Sequence, residues 1–164
     1  MDVVPGLLQI PEYATCLAGV GGSEVDARLL EMRTTRQQVL DRSDPPQYDV
    51  ILTEAVLRHQ MGGPEAMQAQ LRHLTELSAR NHVHLQVIPF TAGPHRGLAK
   101  PFTLLNVGQQ GNLTITALES RIGLDFEERD DKIRLFEEIF ADLQIIALPE
   151  DETRSFIKRL SSEP

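Results

Sequence analysis

Apolar residues recur in some segments every three to four residues and in others at every second residue. Segments of the two kinds alternate along the chain, and they divide the sequence into predicted helices and strands. Helical spacing predicts helices at about 11–20, 24–42, 64–80, 127–146 and from Pro149 through Leu160, with a short helical turn from Glu54 to His59. Period-two alternation predicts strands at about 48–53, 82–88, 102–107 and 112–118.

The order of these elements predicts one α+β domain. We expect about four strands in a mixed sheet and about five helices packed on one face of it. The strands at 102–107 and 112–118 should be antiparallel neighbours, and the first two strands, which are joined through a helix, could be parallel. The domain is expected to span residues 1–164, with residues 1–10 as an N-terminal arm.

Composition and charge narrow the class of protein. The 164 residues include one cysteine, Cys16, so we expect no internal disulfide and a reducing, cytoplasmic location. We also expect no secretory leader and no membrane segment, since no run of about 18 apolar residues occurs. The net charge of -8 argues against direct nucleic-acid binding, because such proteins carry a basic face that replaces counterions along the phosphates.

Two histidines have a spacing that a metal site could use. His82 and His84 lie at i and i+2 of a predicted strand, so both side chains leave the same face and could share a metal ion. No third ligand, HExxH or CxxC pattern accompanies them, and no Walker A, Rossmann or G-x-S-x-G pattern occurs. We therefore predict no metal and no cofactor, and a half-exposed polar sheet face at these histidines.

Carboxylates at strand ends are the first candidates for a site. Glu54 follows the first predicted strand directly, and Arg58 lies one helical turn later, within reach of the carboxylate. The pair is either a capping or rim salt bridge, or a ligand-facing acid held by its arginine. Glu119 ends the last predicted strand in the same way, and Gln70 on the polar side of its helix could form a further pocket wall.

The loop from Phe90 to Leu98 is the most site-like segment. Its glycines permit close backbone approach, His95 can change protonation near neutral pH, and the guanidinium of Arg96 suits carboxylates or phosphates. A loop that merely connects two strands is the alternative interpretation. If the rims of the strands face one edge, Glu54, His95 and Glu119 would share a pocket.

Four segments together resemble one family of domains. They are Val4-Pro-Gly-Leu-Leu-Gln-Ile-Pro-Glu-Tyr-Ala14, Leu52-Thr-Glu-Ala-Val-Leu-Arg58 running to Gly62-Gly63, Val83-His-Leu-Gln-Val-Ile-Pro89, and Gly97 through Pro101-Phe102-Thr-Leu-Leu105. In order and spacing they resemble the domain that follows the helix-turn-helix in antitoxin-like XRE-family transcription regulators of actinobacteria. The resemblance spans roughly Val3 to Leu160, and the chain looks like either an excised fragment of such a regulator or a stand-alone copy without the helix-turn-helix.

The resemblance implies a domain for dimerisation, small-ligand sensing or contact with a small partner protein. The leading hypothesis is therefore a homodimeric sensing domain that does not itself bind DNA or a membrane, with ligand-binding residues Glu54, Arg58, Gln70, His95, Arg96 and Glu119. The alternative is a cofactor-independent cyclase or isomerase of secondary metabolism that uses Glu54, His95 or Glu119 as acid and base. A third hypothesis is an antitoxin-like adaptor that binds only protein.

Overall fold

The computed structural model of the chain describes residues 3–19, 27–108, 113–120 and 123–163. Within these ranges the backbone forms six α-helices: α1 (Pro11–Gly19), α2 (Ala27–Gln37), α3 (Glu54–Arg58), α4 (Pro64–Leu77), α5 (Asp130–Ile146) and α6 (Glu150–Leu160). It also forms five strands: β1 (Tyr48–Thr53), β2 (Val83–Ile88), β3 (Phe102–Val107), β4 (Leu113–Ser120) and β5 (Gly123–Glu127). The predicted α+β class is confirmed.

The strands form two sheets. β1 and β2 pair in parallel, from Tyr48 opposite Val83 to Thr53 opposite Ile88, with α3 and α4 in the crossover between them. β3, β4 and β5 form an antiparallel sheet in that order. The predicted strand neighbours are therefore present, and the structure adds β5 and divides the expected single sheet in two. The division falls in the segment between β2 and β3, where two 3-10 turns, Phe90–Ala92 and Arg96–Leu98, replace a direct connection.

The main core lies where the parallel sheet packs against α4 and α6. Alternate residues of the strands face it, including Leu52 and Leu85, and they meet Leu74 of α4 and Ile157 of α6. This arrangement follows from the periodicities, because the apolar stripe of each helix must be removed from water against the apolar face of the strands. No helix in the described ranges could cross a membrane, since none is both long and apolar enough.

The arm before α1 is held on this core by buried polar side chains. The hydroxyl of Tyr13 accepts a hydrogen bond of 3.1 Å from the N–H of Val4. The fully buried amide of Gln70 donates to the carbonyl of Leu8 at 2.6 Å and accepts from the N–H of Ile10 at 2.9 Å. These bonds satisfy backbone groups that have no strand partner, which lets the apolar arm lie buried without an unpaired peptide.

A second, smaller core joins α5 to both sheets. The ring of Phe102 on β3 lies 5.0 Å from the ring of Phe136 on α5. Near the end of the helix, the N–H of Leu148 donates to the carbonyl of Val87 on β2 at 2.8 Å. The buried members of this core are Ile88, Leu143 and Ala147. α5 therefore connects the end of β2 to the antiparallel sheet.

Candidate functional site

Glu54 closes the gap between the ends of the two parallel strands. It follows the last residue of β1 and opens α3, and its side chain is buried. Its Oε1 accepts a bond of 2.7 Å from Nε of Arg58, and its Oε2 accepts a bond of 2.9 Å from the N–H of Phe90, just beyond β2. Burial of this carboxylate is tolerable because both oxygens receive hydrogen bonds, one of them from a cation.

Arg58 extends this contact to the C-terminal segment. Its Nη1 lies 3.3 Å from Oε2 of Glu163, so the guanidinium stands between two carboxylates. The hydrogen bond that Arg58 donates to Glu54, with the charge of both carboxylates, raises the pKa of Arg58 above its ordinary value. The guanidinium is therefore permanently charged and already engaged.

A cleft of about 460 Å³ lies at the ends of β1 and β2, and we call it the strand-end cleft. Its volume lies in the range of small-molecule sites. Three segments supply its walls: the end of β1 with the start of α3, the end of β2, and the loop that follows β2. The lining residues are Thr53, Ala55, Val56, His59, Ile88, Pro89, Phe90, Gly93, Pro94, His95, Gly97 and Leu98.

Most of this lining is apolar. Phe90 and Leu98 are large apolar side chains that remain mostly exposed at the cleft, although the loop around them is polar. The described lining residues include no carboxylate, ammonium or guanidinium group. The polar side chains of the cleft are Thr53, His59 and His95. A ligand would meet apolar walls and two imidazoles, and no formal charge from lysine, arginine or a carboxylate.

His95 is the polar residue whose local environment is most unusual. Its Nδ1 atom is buried and has no hydrogen-bond partner within the described part of the chain. An unpaired buried N–H costs more than an unpaired acceptor lone pair, so the neutral ring is best accommodated with its proton on Nε2. That tautomer leaves the Nε2–H group as the donor of a half-buried ring in the cleft wall.

The loop that carries His95 is fastened to α5 at two points. Nη1 of Arg96 bonds Oδ2 of Asp142 at 2.9 Å. A Cβ atom at Gly97 would lie only 3.0 Å from Cδ1 of Leu143 and 3.1 Å from Nδ1 of His95, so the loop approaches the helix as closely as a glycine allows. The position of His95 therefore depends on α5.

Comparison with protein families identifies the domain. The model of a family described as a domain of unknown function, DUF5753, matches residues 1–159. The chain belongs to this family. No curated protein and no solved structure gives a significant match. The chemistry of this DUF5753 domain is therefore inferred from its own side chains.

The structure brings some of the predicted site residues of the DUF5753 domain together. His95 lines the strand-end cleft, and Glu54 lies behind it, bonded to the backbone of Phe90. Arg58 and Arg96 lie nearby in sequence, but neither is among the described lining residues, and both pair with carboxylates. Glu54 is likewise not a lining residue.

Two other predicted residues lie elsewhere. Gln70 binds the arm before α1 and is fully buried in the main core, so it forms no wall of the cleft. The backbone of Glu119 pairs with Leu124 in the antiparallel sheet, and its side chain lies outside the part that the structure describes. Convergence of Glu119 with Glu54 and His95 thus stays a prediction.

Sequence reasoning missed His59, Phe90 and Leu98 as walls of the cleft. His59 directly follows α3 and carried no pattern of its own. Phe90 and Leu98 did carry a signal, because each is a large apolar residue in a loop otherwise made of small and polar residues. Apolar residues in such a loop point either to a core contact or to a binding surface.

The imidazole rings of the two β2 histidines lie within hydrogen-bond distance of other groups of the protein. Nε2 of His82 lies 3.0 Å from the carbonyl of Leu40, and Nδ1 of His84 lies 3.0 Å from Oε1 of Glu150. Among the described residues, no cluster of three or more His, Cys, Asp or Glu side chains has a geometry that could hold a metal ion. The two imidazoles tie β2 to its neighbours in this DUF5753 domain.

Proposed function

We propose that this DUF5753 domain is a ligand-sensing and dimerisation domain whose ligand is a neutral, largely apolar small molecule bound in the strand-end cleft. The observation that carries the proposal is the cleft itself, with its apolar walls and a His95 ring whose buried Nδ1 has no partner among the described residues. Concave, mostly apolar sites with a few polar groups are the usual form of small-molecule sites.

The two arginines near the cleft favour an uncharged ligand, because both already pair with carboxylates of the protein. Arg58 is engaged by Glu54 and Glu163, and Arg96 is engaged by Asp142. A carboxylate or phosphate ligand would have to displace one of these partners. A neutral ligand with one carbonyl or hydroxyl oxygen needs no such exchange, since Nε2–H of His95 supplies a donor.

The regulatory setting is part of the same proposal. The four segments quoted above resemble the domain of antitoxin-like XRE regulators, and the net charge of -8 disfavours direct contact with DNA. We propose that the domain acts on transcription in the cytoplasm only through a helix-turn-helix, whether that lies in the same polypeptide or in another protein. A ligand would alter that function only by binding one arrangement of the domain more tightly than another.

Binding of a neutral apolar probe tests the cleft directly. Nile red, a neutral dye with one carbonyl group, should bind the wild-type chain with enhanced fluorescence. Ala55→Trp places an indole in the cleft wall and should abolish this signal, whereas Ala141→Trp on the exposed side of α5 serves as the matched control. Equal fluorescence from both variants would refute binding in the cleft.

A thermal-shift screen of neutral carbonyl and hydroxyl compounds then addresses the natural ligand class. A compound at about 100 times its Kd should stabilise the fold by roughly 2.7 kcal/mol. His95→Phe keeps the ring and removes the donor, so it should weaken such a compound at least about tenfold. A hit that His95→Phe binds equally well would exclude the imidazole from recognition.

One observation favours the enzyme alternative. His59 and His95 line the same cleft, and two imidazoles can serve as acid and base. Glu54 is less suited to proton transfer, because both of its oxygens already accept hydrogen bonds. A cyclase or isomerase conserves mass, so each compound found by the screen should be incubated with the chain and followed by chromatography. Conversion that survives in both His59→Asn and His95→Asn would refute this assignment.

A further inference from the structure

The antiparallel sheet has two faces of different character. Its inner face packs against α5 through Phe102 and the fully buried Thr116. The opposite side, which we call the outer face, presents apolar residues at alternate positions of all three strands: Leu105, Val107, Leu113, Ile115, Ala117, Leu124 and Phe126. Ile115 is half-buried and Ala117 is buried, and the other five are between 39% and 59% exposed.

The exposed residues form one continuous band across the strands. Val107 lies directly opposite Leu113, and Ala117 lies opposite both Thr103 and Phe126. Residues opposite each other in an antiparallel ladder have Cβ atoms about 5 Å apart, so these side chains touch or nearly touch. A folded monomer rarely leaves such a contiguous apolar band in water unless something covers it.

The carboxylates of β5 lie on the side away from the outer face. Asp125 and Glu127 alternate with Leu124 and Phe126 along β5, and they occupy the register positions opposite Leu118 and Thr116, on the inner side. One carboxylate position does fall on the outer face, because Glu119 near the end of β4 pairs with Leu124. Two molecules with a net charge of -8 can therefore meet at this face without bringing the β5 carboxylates together.

The apolar area approaches what a dimer needs. Side chains exposed to this extent offer about 400 Å² of apolar surface, since even a whole aromatic side chain buries only about 150–250 Å². Two such faces remove about 800 Å² from water, and the polar atoms around the band would bring the interface to the roughly 1,000 Å² that a specific contact needs. A small partner peptide would cover only part of a three-stranded face.

We propose that a second copy of the chain docks on this outer face, sheet against sheet, in a two-fold symmetric dimer. The proposal rests on the dimerisation part of the proposed function and gives it a surface. Two stacked sheets pack about 10 Å apart with their strands within about 30° of each other. A two-fold axis repeats every contact between the two faces twice.

Sedimentation equilibrium of the full chain tests this surface. The wild type should be a dimer at micromolar concentration. Phe126→Arg, at a side chain that is 59% exposed, should raise the dimer Kd at least about tenfold with unchanged circular dichroism. Ile145→Arg is the matched control, because this α5 residue is 81% exposed and lies outside the outer face. It should leave the Kd unchanged.

Two results would overturn the proposal. One is a wild-type chain that stays monomeric at 100-fold higher concentration, which would leave the face to a different partner. The other is a Phe126→Arg chain that dimerises like the wild type. If Phe126→Arg does not fold, Leu113→Arg repeats the test at a second exposed position of the outer face. Nile red binding by the Phe126→Arg monomer separates the two proposals, since the strand-end cleft does not include the outer face.

Discussion

The carboxylate of Glu54 accepts a hydrogen bond of 2.9 Å from the backbone N–H of Phe90, across the open ends of β1 and β2. A single buried side chain therefore fixes the distance between the start of α3 and the loop that forms the cleft. The second oxygen of the same group binds Arg58 at 2.7 Å. Glu54 thus acts on the cleft through the backbone of Phe90, and its role is positional.

Replacement of Glu54 by glutamine should destabilise the fold. Glutamine offers one acceptor oxygen in place of two and removes the charge, so either Phe90 or Arg58 loses its bond. We expect the free energy of unfolding to fall by about 1–2 kcal/mol. Hydrogen bonds to charged groups contribute about 1.5–3 kcal/mol, and the solvent around the exposed Arg58 screens part of this contribution. Urea denaturation measures it. Glu138→Gln, on an exposed turn of α5, is the control, and an equal effect of the two changes would contradict the structural role.

The course of the chain could be predicted well because periodicity reports which residues are buried. The predicted strand at 48–53 and the helix that begins at Pro64 match β1 and α4. β5 was not predicted, although Leu124 and Phe126 alternate with Asp125 and Glu127. The reason is that this short alternation is followed within a few residues by the helical pattern of α5. Periodicity also says nothing about which strands pair, so the separation into two sheets could not be predicted.

The candidate site was predictable only in part. The place of Glu54 at a strand end and the loop around His95 followed from the sequence. The partner of Glu54 is a backbone N–H, which every residue but proline has, so no sequence signal marks Phe90 as that partner. Gln70 was assigned to a pocket wall because it falls on the polar side of its predicted helix, whereas its buried amide satisfies the backbone of the arm.

Two fully buried threonines should respond oppositely to the same substitution. Oγ1 of Thr116 has no hydrogen-bond partner among the described residues, so Thr116→Val removes an unsatisfied hydroxyl and should stabilise the fold, on the order of 1 kcal/mol. Oγ1 of Thr153 accepts from the N–H of Val87 at 3.1 Å and donates to the carbonyl of Leu148 at 3.2 Å. Thr153→Val should therefore cost about 1–3 kcal/mol.

Chemical denaturation of the two variants measures both effects under one set of conditions. Threonine and valine have nearly the same shape, so the difference between the two variants reports mainly on the hydroxyl groups and their hydrogen bonds. A loss of stability in Thr116→Val comparable to that in Thr153→Val would mean that the Thr116 hydroxyl has a partner.

Gly97 and Leu143 should be coupled in stability. An added Cβ at Gly97 would meet the two methyl groups of Leu143 at 3.0 and 3.2 Å, so Gly97→Ala should destabilise by about 1–3 kcal/mol. Leu143→Ala should cost about 2–5 kcal/mol through the cavity it leaves. In the double variant the alanine at 97 finds space, so the combined loss should fall short of additivity by at least about 0.5 kcal/mol.

A double-mutant cycle followed by urea denaturation tests this coupling. Gly6→Ala serves as the control, because a Cβ there meets nothing within 4 Å. Its effect should add to that of Leu143→Ala within about 0.5 kcal/mol. Full additivity of Gly97→Ala with Leu143→Ala would show that the loop is not in tight contact with α5.

The end of β5 should show the clearest pH dependence in the domain. Oε1 of Glu127 accepts bonds from the backbone N–H and from Nε of Arg129 at 3.1 and 2.9 Å, and Oε2 accepts from Nη2 at 2.7 Å. These bonds lower the pKa of Glu127 from 4.5 to about 2. A pKa lower in the folded than in the unfolded chain means that the ionised group favours folding, so this contribution is complete above pH 4.5 and is lost as pH falls toward 2.

Arg129→Gln should raise the pKa of Glu127 to a value between about 2 and 4.5, because the backbone N–H of residue 129 still donates to the carboxylate. Carbon-13 NMR titration of the glutamate carboxyl groups measures this value in both chains. Arg134→Gln, at an exposed position of α5, should leave it unchanged. A Glu127 that titrates near 4.5 in the wild type, or near 2 in Arg129→Gln, would contradict the assignment of the shift to the Arg129 guanidinium.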